Sequence, residues 1–377
     1  MEIVKYGDVA KEALIEIKKF QEGELGVVTT GRPWLDNLFP VVNGSVITIG
    51  AGSGIGKSYE LARILNNILD KDLNPKSENY VTLNISLEMK VRSLLLRALN
   101  KKLGKAKKDI LLEEFTEEER QLANEYFISV NDDRQYISQV PTTPSKFYRA
   151  CFDFLTLHKD KDSVIIAVDH IALIGADKGE SRNQIIESFI ERVNDLKMQF
   201  SNVVFILLSQ TNADIIKRAK DRDNMAQPQD SDLYFSNYTF QISDYVVIIF
   251  SPLKVGINEY ASLNPSRYPH LEKYFLEPDK KGRVALEVFG VLYYHLLKIR
   301  EGDSGFIDIY AEDLNIPDLE AKRKERKTEK TIAPTFAPPT FDATMTTVMY
   351  NTSAMTSAQG AGFDDVSTIE EDEEAPF

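Results

Sequence analysis

The chain has 377 residues and a formal net charge of −13, and 43% of its residues are hydrophobic. This length suits one large domain with additional segments, and the longest apolar runs, such as 203–208 and 245–250, fall far short of the roughly 20 residues that a membrane span needs. The single cysteine, Cys151, excludes an intramolecular disulfide and a cysteine-based zinc cluster, so we expect a cytoplasmic protein.

The negative charge is unevenly distributed along the chain. Residues 331–377 contain eight acidic residues and neither lysine nor arginine, which leaves a net charge of −5 on residues 1–330. Because local basic loops can bind a phosphate backbone whatever the overall sign, this balance does not exclude nucleic acid as a partner.

The first predicted element is a short amphipathic helix. In Val9–Phe20, VAKEALIEIKKF, apolar residues recur at helical spacing. Two interpretations are equally open: the helix packs on its own core, or it is an arm that packs on a neighbouring subunit.

Strand patterns alternate with helical patterns over most of the chain. Helices are predicted at Lys57–Leu69 and Asn183–Phe200. Such alternation predicts an α/β fold with a mainly parallel sheet that is flanked by helices. The predicted strands are Val46–Gly50, Tyr80–Ser86, Ser163–Asp169, Asn202–Ser209, Asp244–Phe250 and Val291–Arg300.

The segment AGSGIGKS has the features of a phosphate-binding loop, although Ala51 stands where the usual pattern G-x-x-x-x-G-K-[ST] begins with glycine. Its glycines permit backbone N–H groups to converge on a phosphate. Such a loop needs a lysine that reaches the β- and γ-phosphates and a hydroxyl that ligates Mg²⁺, and Lys57 and Ser58 stand at these positions. Because a strand precedes the segment and a helix follows it, we predict a nucleotide site. Its residues are Ala51, Gly52, Ser53, Gly54, Ile55, Gly56, Lys57 and Ser58.

Polar side chains follow three predicted strands, at the edge where open α/β sheets bind ligands. Glu88 is placed to polarise an attacking water, and Asp169 fits an acid that holds Mg²⁺ directly or through water. Gln210 is placed to sense the γ-phosphate. Taken alone, a glutamate after a strand is usually a solvated turn or helix-start residue, strand-end aspartates are common, and Gln210 could simply cap its strand. We expect His170 to have a structural or supporting role, because no second histidine lies at metal-ligand spacing.

Two cations lie two residues apart near the end of the last predicted strand. Alternation along a strand points Lys298 and Arg300 to the same face. Beside the chain's own phosphates they would duplicate Lys57. We therefore interpret them as residues that reach the γ-phosphate of a neighbouring subunit, where an arginine stabilises transition-state charge. A solvated pair at the sheet edge is the alternative, and the spacing alone favours it.

The composition changes after Leu319. Residues 321–330 form a charged run that we interpret as a linker. Residues 331–377 are rich in Thr, Ala, Pro, Ser and Met, a composition that predicts a disordered tail. Its acidic end, EEDEEAPF, is either a docking segment for a partner or a solubilising segment that also repels DNA.

Together and in this order, these motifs resemble those of the DnaB-type replicative helicases, which are RecA-like P-loop ATPases. The resemblance extends from Thr29 to about Ile309 and depends on the Ala-first loop, on SLEM at Ser86–Met89 and on the late K-x-R pair. It implies an ATPase domain at 26–320 after an interface arm at 1–25, with ATP and Mg²⁺ as cofactors.

The resemblance also assigns roles to the motifs. It implies a ring, most simply a hexamer, that translocates on single-stranded DNA and unwinds the duplex at the replication fork, in the cytoplasm of a bacterium or of a phage-infected cell. The acidic tail of the chain would recruit a primase, polymerase or loader. The residues implied as catalytic are Glu88, Lys57, Lys298, Arg300 and Gln210, and the implied metal ligands are Ser58 and Asp169.

Two loops, at about 176–183 and 212–243, are implied to face DNA in the central channel of the ring. The second contains SDL, Ser231–Leu233, which the family shares. Basic side chains in these loops can follow the phosphates of a single strand, and a solvated helix face is the alternative for at least half of them. The implied contacts are Lys178, Arg182, Lys217, Arg218, Lys220 and Arg222.

Several features depart from the family pattern. Tyr234 replaces the arginine after SDL and could, with Phe235, stack on bases. His170 replaces the usual tyrosine, and the segment 251–287 is longer than expected. Residues 1–25 alone precede the core, which resembles a minimal phage-type helicase without the N-terminal or primase domain of many relatives.

Two other functions share such a core. A strand-exchange recombinase would form an open filament, and the combination of SLEM with the K-x-R pair argues against it. A loader or clamp that uses ATP as a switch would hydrolyse it slowly and without response to DNA. The presence of Glu88 makes that alternative less attractive.

Overall fold

The computed structural model describes residues 5–21, 27–37, 41–221, 227–234, 236–300 and 308–332. Within them, strands and helices alternate as the sequence predicts. The strands are β1 Val46–Ala51, β2 Tyr80–Ser86, β3 Gln135–Ser138, β4 Ser163–Asp169, β5 Val203–Gln210, β6 Tyr245–Phe250, β7 Tyr260–Ser262, β8 Ala285–Leu286, β9 Val291–Ile299 and β10 Ile309–Asp313.

The helices cover both the predicted segments and several that the sequence analysis did not assign, α4 to α7 among them. They are α1 Tyr6–Gln21, α2 Pro33–Asp36, α3 Lys57–Ile68, α4 Val91–Leu103, α5 Lys107–Leu112, α6 Glu117–Val130, α7 Pro144–Leu157, α8 Arg182–Gln199, α9 Asp214–Asp221, α10 Ser236–Ile242 and α11 Leu319–Ile332.

The main sheet of the described residues has eight strands in the order β10-β9-β6-β1-β5-β4-β2-β3. Strands β1 to β6 run parallel to one another. Strand β9 runs antiparallel to β6, and β10 runs antiparallel to β9. The predicted mainly parallel α/β sheet is therefore confirmed, with β3 and β10 as short edge strands that the sequence analysis missed.

Both faces of the sheet are covered by apolar side chains. Along β1, Ile47 and Ile49 pack on the face that carries α3, whereas Val46 packs with Phe147 of α7 and Phe189 of α8 on the other face. This arrangement explains why the central strands read as continuous apolar runs, because neither face of a parallel sheet contacts water.

The segment between β6 and β9 has a hydrophobic cluster of its own. Its two short strands, β7 and β8, pair with each other. Tyr260 and Tyr274 pack against Tyr293 of β9, and Tyr268 belongs to the same cluster. The hydroxyl of Tyr260 lies 2.8 Å from Nε2 of the buried His295. The unexpectedly long segment 251–287 is thus fixed to the end of the main sheet.

A buried ionic network joins the chain before β1 to α3 and β10. The Arg32 guanidinium forms ion pairs with Glu60 and Glu312, and Arg32 and Glu60 are 4% and 3% exposed. Arg63 Nη1 lies 2.8 Å from Glu312 Oε1, and the Tyr294 hydroxyl lies 2.9 Å from Glu312 Oε2. Burial raises the pKa of the Glu60 carboxyl, and the charges of Arg32 and Arg63 oppose that rise.

Replacing Arg32 with methionine is expected to lower the free energy of unfolding by about 3–5 kcal/mol, because Glu60 would stay buried without its main partner. Chemical denaturation of the two proteins measures the difference. Arg283→Met is the matched control, since Arg283 and its partner Asp279 are largely exposed and such pairs contribute at most about 1 kcal/mol. Similar small losses in both variants would contradict a stabilising role for the network.

A helix lies near each end of the described part of the chain. The helix predicted at Val9–Phe20 is α1, and the run predicted as a charged linker is part of α11. Most of the predicted tail, residues 333–377, lies outside the described residues, and so does the acidic segment that was assigned to it.

None of the described helices is long and apolar enough to cross a membrane.

Candidate active site

The predicted phosphate loop connects β1 to α3 at the carboxyl edge of the sheet. Left-handed backbone occurs at Gly54, with φ of 70°, and at Gly56, with φ of 117°, which is where glycine is needed. Ala51 is instead the last residue of β1 and pairs with Gln210 of β5 and Ile249 of β6. Alanine is therefore tolerated at the first position because the backbone there is ordinary strand.

Lys57, the first residue of α3, points back into the loop. Its Nζ donates to the carbonyl oxygens of Ala51, at 2.9 Å, and Gly52, at 3.4 Å. Burial lowers the pKa of this ammonium group, and the charges of Asp169 and Glu88 oppose that effect. The loop thus holds a buried cation, which suits an anionic ligand such as a phosphate group.

The two predicted metal ligands lie together. Asp169 ends β4 and is 2% exposed, and the Ser58 side chain lies next to its carboxyl group. Its Oδ1 is buried and has no hydrogen-bond partner among the described residues. Burial raises the pKa of this carboxyl group. An unpartnered buried carboxylate oxygen next to a hydroxyl fits Mg²⁺, which binds few protein oxygens and takes its other ligands from phosphates and water.

Glu88 lies beside Asp169 in the turn that follows β2. The backbone N–H groups of Leu87 and Glu88 donate to the Asp169 carbonyl oxygen, at 2.7 and 3.3 Å, and the Ser86 hydroxyl donates to the Met89 carbonyl oxygen at 2.9 Å. These bonds fix the SLEM turn to the end of β4. The Glu88 side chain is half exposed, so its carboxylate has access to water.

His170 lies between the predicted catalytic glutamate and the predicted sensor. Its Nε2 is 3.8 Å from Glu88 Oε2 and 3.3 Å from Gln210 Nε2. Burial lowers the pKa of the His170 imidazole, which favours the neutral form, and a neutral ring nitrogen can accept from the Gln210 amide. The expected supporting role agrees with this geometry.

The SDL segment returns to the end of β5 and packs on β1. Leu233 pairs with Thr211, and the Tyr234 N–H donates to the Gln210 carbonyl oxygen at 2.9 Å. Gly50 leaves room for this leucine, because a Cβ at position 50 would lie only 2.3 Å from Leu233 Cδ2, too close for two carbon atoms. The sequence analysis missed this role of Gly50, because Leu233, the residue that requires a glycine there, lies far away in the chain.

Two of the predicted DNA contacts are engaged within the chain itself. The Arg218 guanidinium makes two hydrogen bonds to the fully buried carboxylate of Asp232, at 2.7 and 2.5 Å. Arg182 donates to the carbonyl oxygens of Ala172 and Ile174. Both arginines therefore hold together the loops in which they lie, which leaves less of their hydrogen-bonding capacity for DNA.

The other predicted DNA contacts differ in their surroundings. Lys178 is exposed, and Lys217 is exposed with its Nζ 3.0 Å from Asp214 Oδ1. The side chain of Lys220 and all of Arg222 lie outside the described residues. All six assignments stay predictions.

Lys298 and Arg300 lie at the opposite edge of the sheet from the phosphate loop. Strand β9 is antiparallel, so its end lies at the amino end of β6, where Ile299 pairs with Tyr245. At about 3.3 Å per residue, the length of β6 separates the two edges by roughly 15–20 Å. Neither cation can therefore reach the phosphates of its own chain.

Both cations contact the carboxyl end of α10. Lys298 Nζ donates to the Phe240 carbonyl oxygen at 2.5 Å, and Arg300 Nη2 donates to that of Gln241 at 2.7 Å. Arg300 Nε also lies 3.2 Å from Asp244 Oδ1, and the Arg300 side chain is about half exposed. The two side chains thus share one face, and Arg300 remains accessible to a neighbouring molecule.

The loop, the SLEM turn and the strand-end acid occur in the order of one known family. Residues 26–283 match the family model described as the DnaB-like helicase C terminal domain. The chain belongs to this family. Membership confirms the resemblance stated from the motifs and identifies an NTP-hydrolysing enzyme. The matched range of the DnaB-like domain ends before β9, so Lys298 and Arg300 lie beyond it.

Solved structures agree with this DnaB-like fold. The ATPase domain of G40P is 16% identical with a TM-score of 0.58, over 81% of this chain and 98% of that one. A structure described as a DnaB-like replicative helicase and its interactions with primase is 15% identical with a TM-score of 0.57, over 82% of this chain and 65% of that one, which is less than two thirds of its length.

A more distant likeness is to the KaiC-like protein PH0186 from Pyrococcus horikoshii OT3, which is 15% identical with a TM-score of 0.43, over 76% of this chain and 94% of that one. No curated protein sequence matches this chain. At their identities, the first two solved structures support the fold of the DnaB-like domain alone.

Proposed function

We propose that this chain is an ATP-driven, ring-forming replicative DNA helicase that translocates on single-stranded DNA. The observation that carries the proposal is that one sheet edge brings together the side chains that ATP hydrolysis requires. These are Lys57, Ser58, Glu88, Asp169 and Gln210.

For hydrolysis, the triphosphate lies along the backbone N–H groups of the loop and the start of α3. The Lys57 ammonium exchanges its carbonyl acceptors for phosphate oxygens. Asp169 and Ser58 would hold Mg²⁺, which would neutralise phosphate charge. Glu88, fixed beside Asp169, orients the attacking water and accepts its proton.

The site is connected to the predicted DNA loop through Gln210. Its side chain lies next to His170, and its backbone carbonyl accepts from Tyr234, the residue that follows SDL. Loss of the γ-phosphate would therefore change contacts at both ends of the segment 211–234. This segment is the proposed link between hydrolysis and movement along DNA, with Tyr234 itself 44% exposed.

Ring formation is supported by features on two surfaces. Helix α1 exposes apolar side chains, among them Leu14, Ile15 and Ile17, which a neighbouring subunit could cover. Arg300 is partly exposed and lies far from its own phosphates. A ring in which each Arg300 faces the next subunit's phosphate loop satisfies both observations. The recruitment of a primase, polymerase or loader by residues 364–377 stays a prediction.

The test is strand displacement from a forked DNA with a 5′ single-stranded arm, in the presence of Mg-ATP. We expect ATP-dependent unwinding by the wild type and none by Lys57→Ala, because the variant lacks the cation that binds the phosphates. Electron microscopy of the same samples should show closed rings. Open filaments would favour the recombinase alternative, and slow hydrolysis without response to DNA would favour the loader.

A further inference from the structure

A lysine from the long segment after β6 reaches the phosphate loop. Strand β6 lies next to β1, and Ile249 pairs with Ala51. The segments that follow the two strands therefore begin side by side. The turn Pro252–Val255 follows at once, and Lys254 Nζ donates to the carbonyl oxygen of Gly54. A Cβ on Gly54 would lie 3.7 Å from this ammonium group.

Buried residues before and after Lys254 in the chain hold the turn that carries it. Ser251 and Pro252 are buried, and the N–H of Ile257 donates to the Pro252 carbonyl oxygen at 3.0 Å. Ile257 itself packs into the aromatic cluster of the 251–287 segment with Phe250. The backbone is therefore held in place, whereas the Lys254 side chain is exposed and its ammonium group can exchange one acceptor for another.

The strand order shows which part of a nucleotide would face Lys254. Glu88, Asp169 and Gln210 follow β2, β4 and β5, which lie on one side of β1. These residues define where the γ-phosphate and the attacking water lie. With the γ-phosphate on that side, the nucleoside would extend to the other side of β1, where β6 and Lys254 are found.

We propose that Lys254 is a nucleotide-binding residue that contacts the α-phosphate and ribose of the bound nucleotide. This inference rests on the proposed function, because it concerns the same ATP site. On binding, the ammonium group exchanges the neutral Gly54 carbonyl for a charged phosphate oxygen, which makes a stronger hydrogen bond. Because the α-phosphate and ribose are common to ATP and ADP, the contact contributes to binding and not to turnover.

The experiment compares Lys254→Met, Lys254→Arg and the exposed control Lys281→Met with the wild type. Calorimetric titration measures the Kd for Mg-ADP, and steady-state assays give KM and kcat for ATP. In Lys254→Met we expect Kd and KM to rise together by about tenfold, the change expected for one charge-assisted hydrogen bond, with kcat within about twofold. Lys254→Arg should recover most of the affinity, and Lys281→Met should match the wild type.

Unchanged ADP affinity in Lys254→Met would overturn the proposal. A fall in kcat as large as the rise in KM would also overturn it, since this would mean that the lysine only supports the shape of the loop. Failure of the wild type to bind ADP or ATP would instead refute the proposed function, and this inference with it. Thermal unfolding without nucleotide should be the same in all four proteins, because the Lys254 side chain is exposed.

Discussion

Replacing Glu88 with glutamine is expected to lower kcat for ATP hydrolysis by about 10²–10⁴-fold, the contribution typical of a general base. The amide keeps the size of the side chain and the backbone bonds that fix the SLEM turn to Asp169. It cannot accept the proton of the attacking water. Nucleotide affinity should therefore stay nearly unchanged, and the variant should still assemble and bind single-stranded DNA in the presence of ATP.

The measurements are single-turnover hydrolysis and nucleotide titration. Glu114→Gln is a suitable control, because Glu114 is exposed in the loop between α5 and α6, away from the sheet edge. Lys57→Ala should differ from Glu88→Gln by losing nucleotide binding as well as turnover, since the loop then has no cation for the phosphates. Wild-type turnover in Glu88→Gln would exclude Glu88 as the base and would favour a different water-activating group.

Much of this site could be predicted because its residues follow predictable strands. Glu88, Asp169 and Gln210 come directly after β2, β4 and β5, or end them, and the ends of parallel strands meet at one edge. The order of strands was not available from the sequence. That order underlies the proposed position of Lys254 near the nucleoside, and the antiparallel direction of β9 places Arg300 at the opposite edge of the sheet.

The features that were missed depend on residues far apart in the chain. The Arg32 network joins positions 32, 60 and 312, and no local pattern marks its members as partners. Likewise, the basic cluster of α9 predicted several DNA contacts, but Arg218 pairs with a buried carboxylate 14 residues later. A short edge strand such as β3, with Tyr136 and Ile137 exposed, lacks the apolar run that identified the central strands.

Two departures from the family pattern lie at the candidate active site. His170, where relatives usually have tyrosine, contacts both Glu88 and Gln210. The long segment 251–287 supplies Lys254 to the phosphate loop. These two departures therefore lie next to the phosphate loop, to Glu88 and to Gln210. This is expected for a fold whose core geometry fixes the reaction and whose loops vary.

Replacing Arg300 with alanine is expected to reduce DNA-stimulated ATP turnover by about 10³-fold or more, the effect typical of an arginine supplied to a γ-phosphate in trans. Nucleotide binding by the chain's own loop should be unaffected, because the length of β6 separates the two edges of the sheet. Arg283→Ala is the matched control, since this exposed arginine pairs with Asp279 within a surface turn. Steady-state hydrolysis and nucleotide titration on both variants measure the effect.

Mixed rings decide whether Arg300 acts across an interface. Arg300→Ala subunits keep an intact loop, and Lys57→Ala subunits keep an intact arginine. Each variant alone should be inactive, but a mixture contains interfaces where the intact loop of one subunit meets the intact arginine of the next. We therefore expect ATPase activity to reappear on mixing and to reach a maximum near equal proportions. If Arg300 acted only within its own chain, for example by holding the end of α10, every subunit would remain defective and mixing would restore nothing.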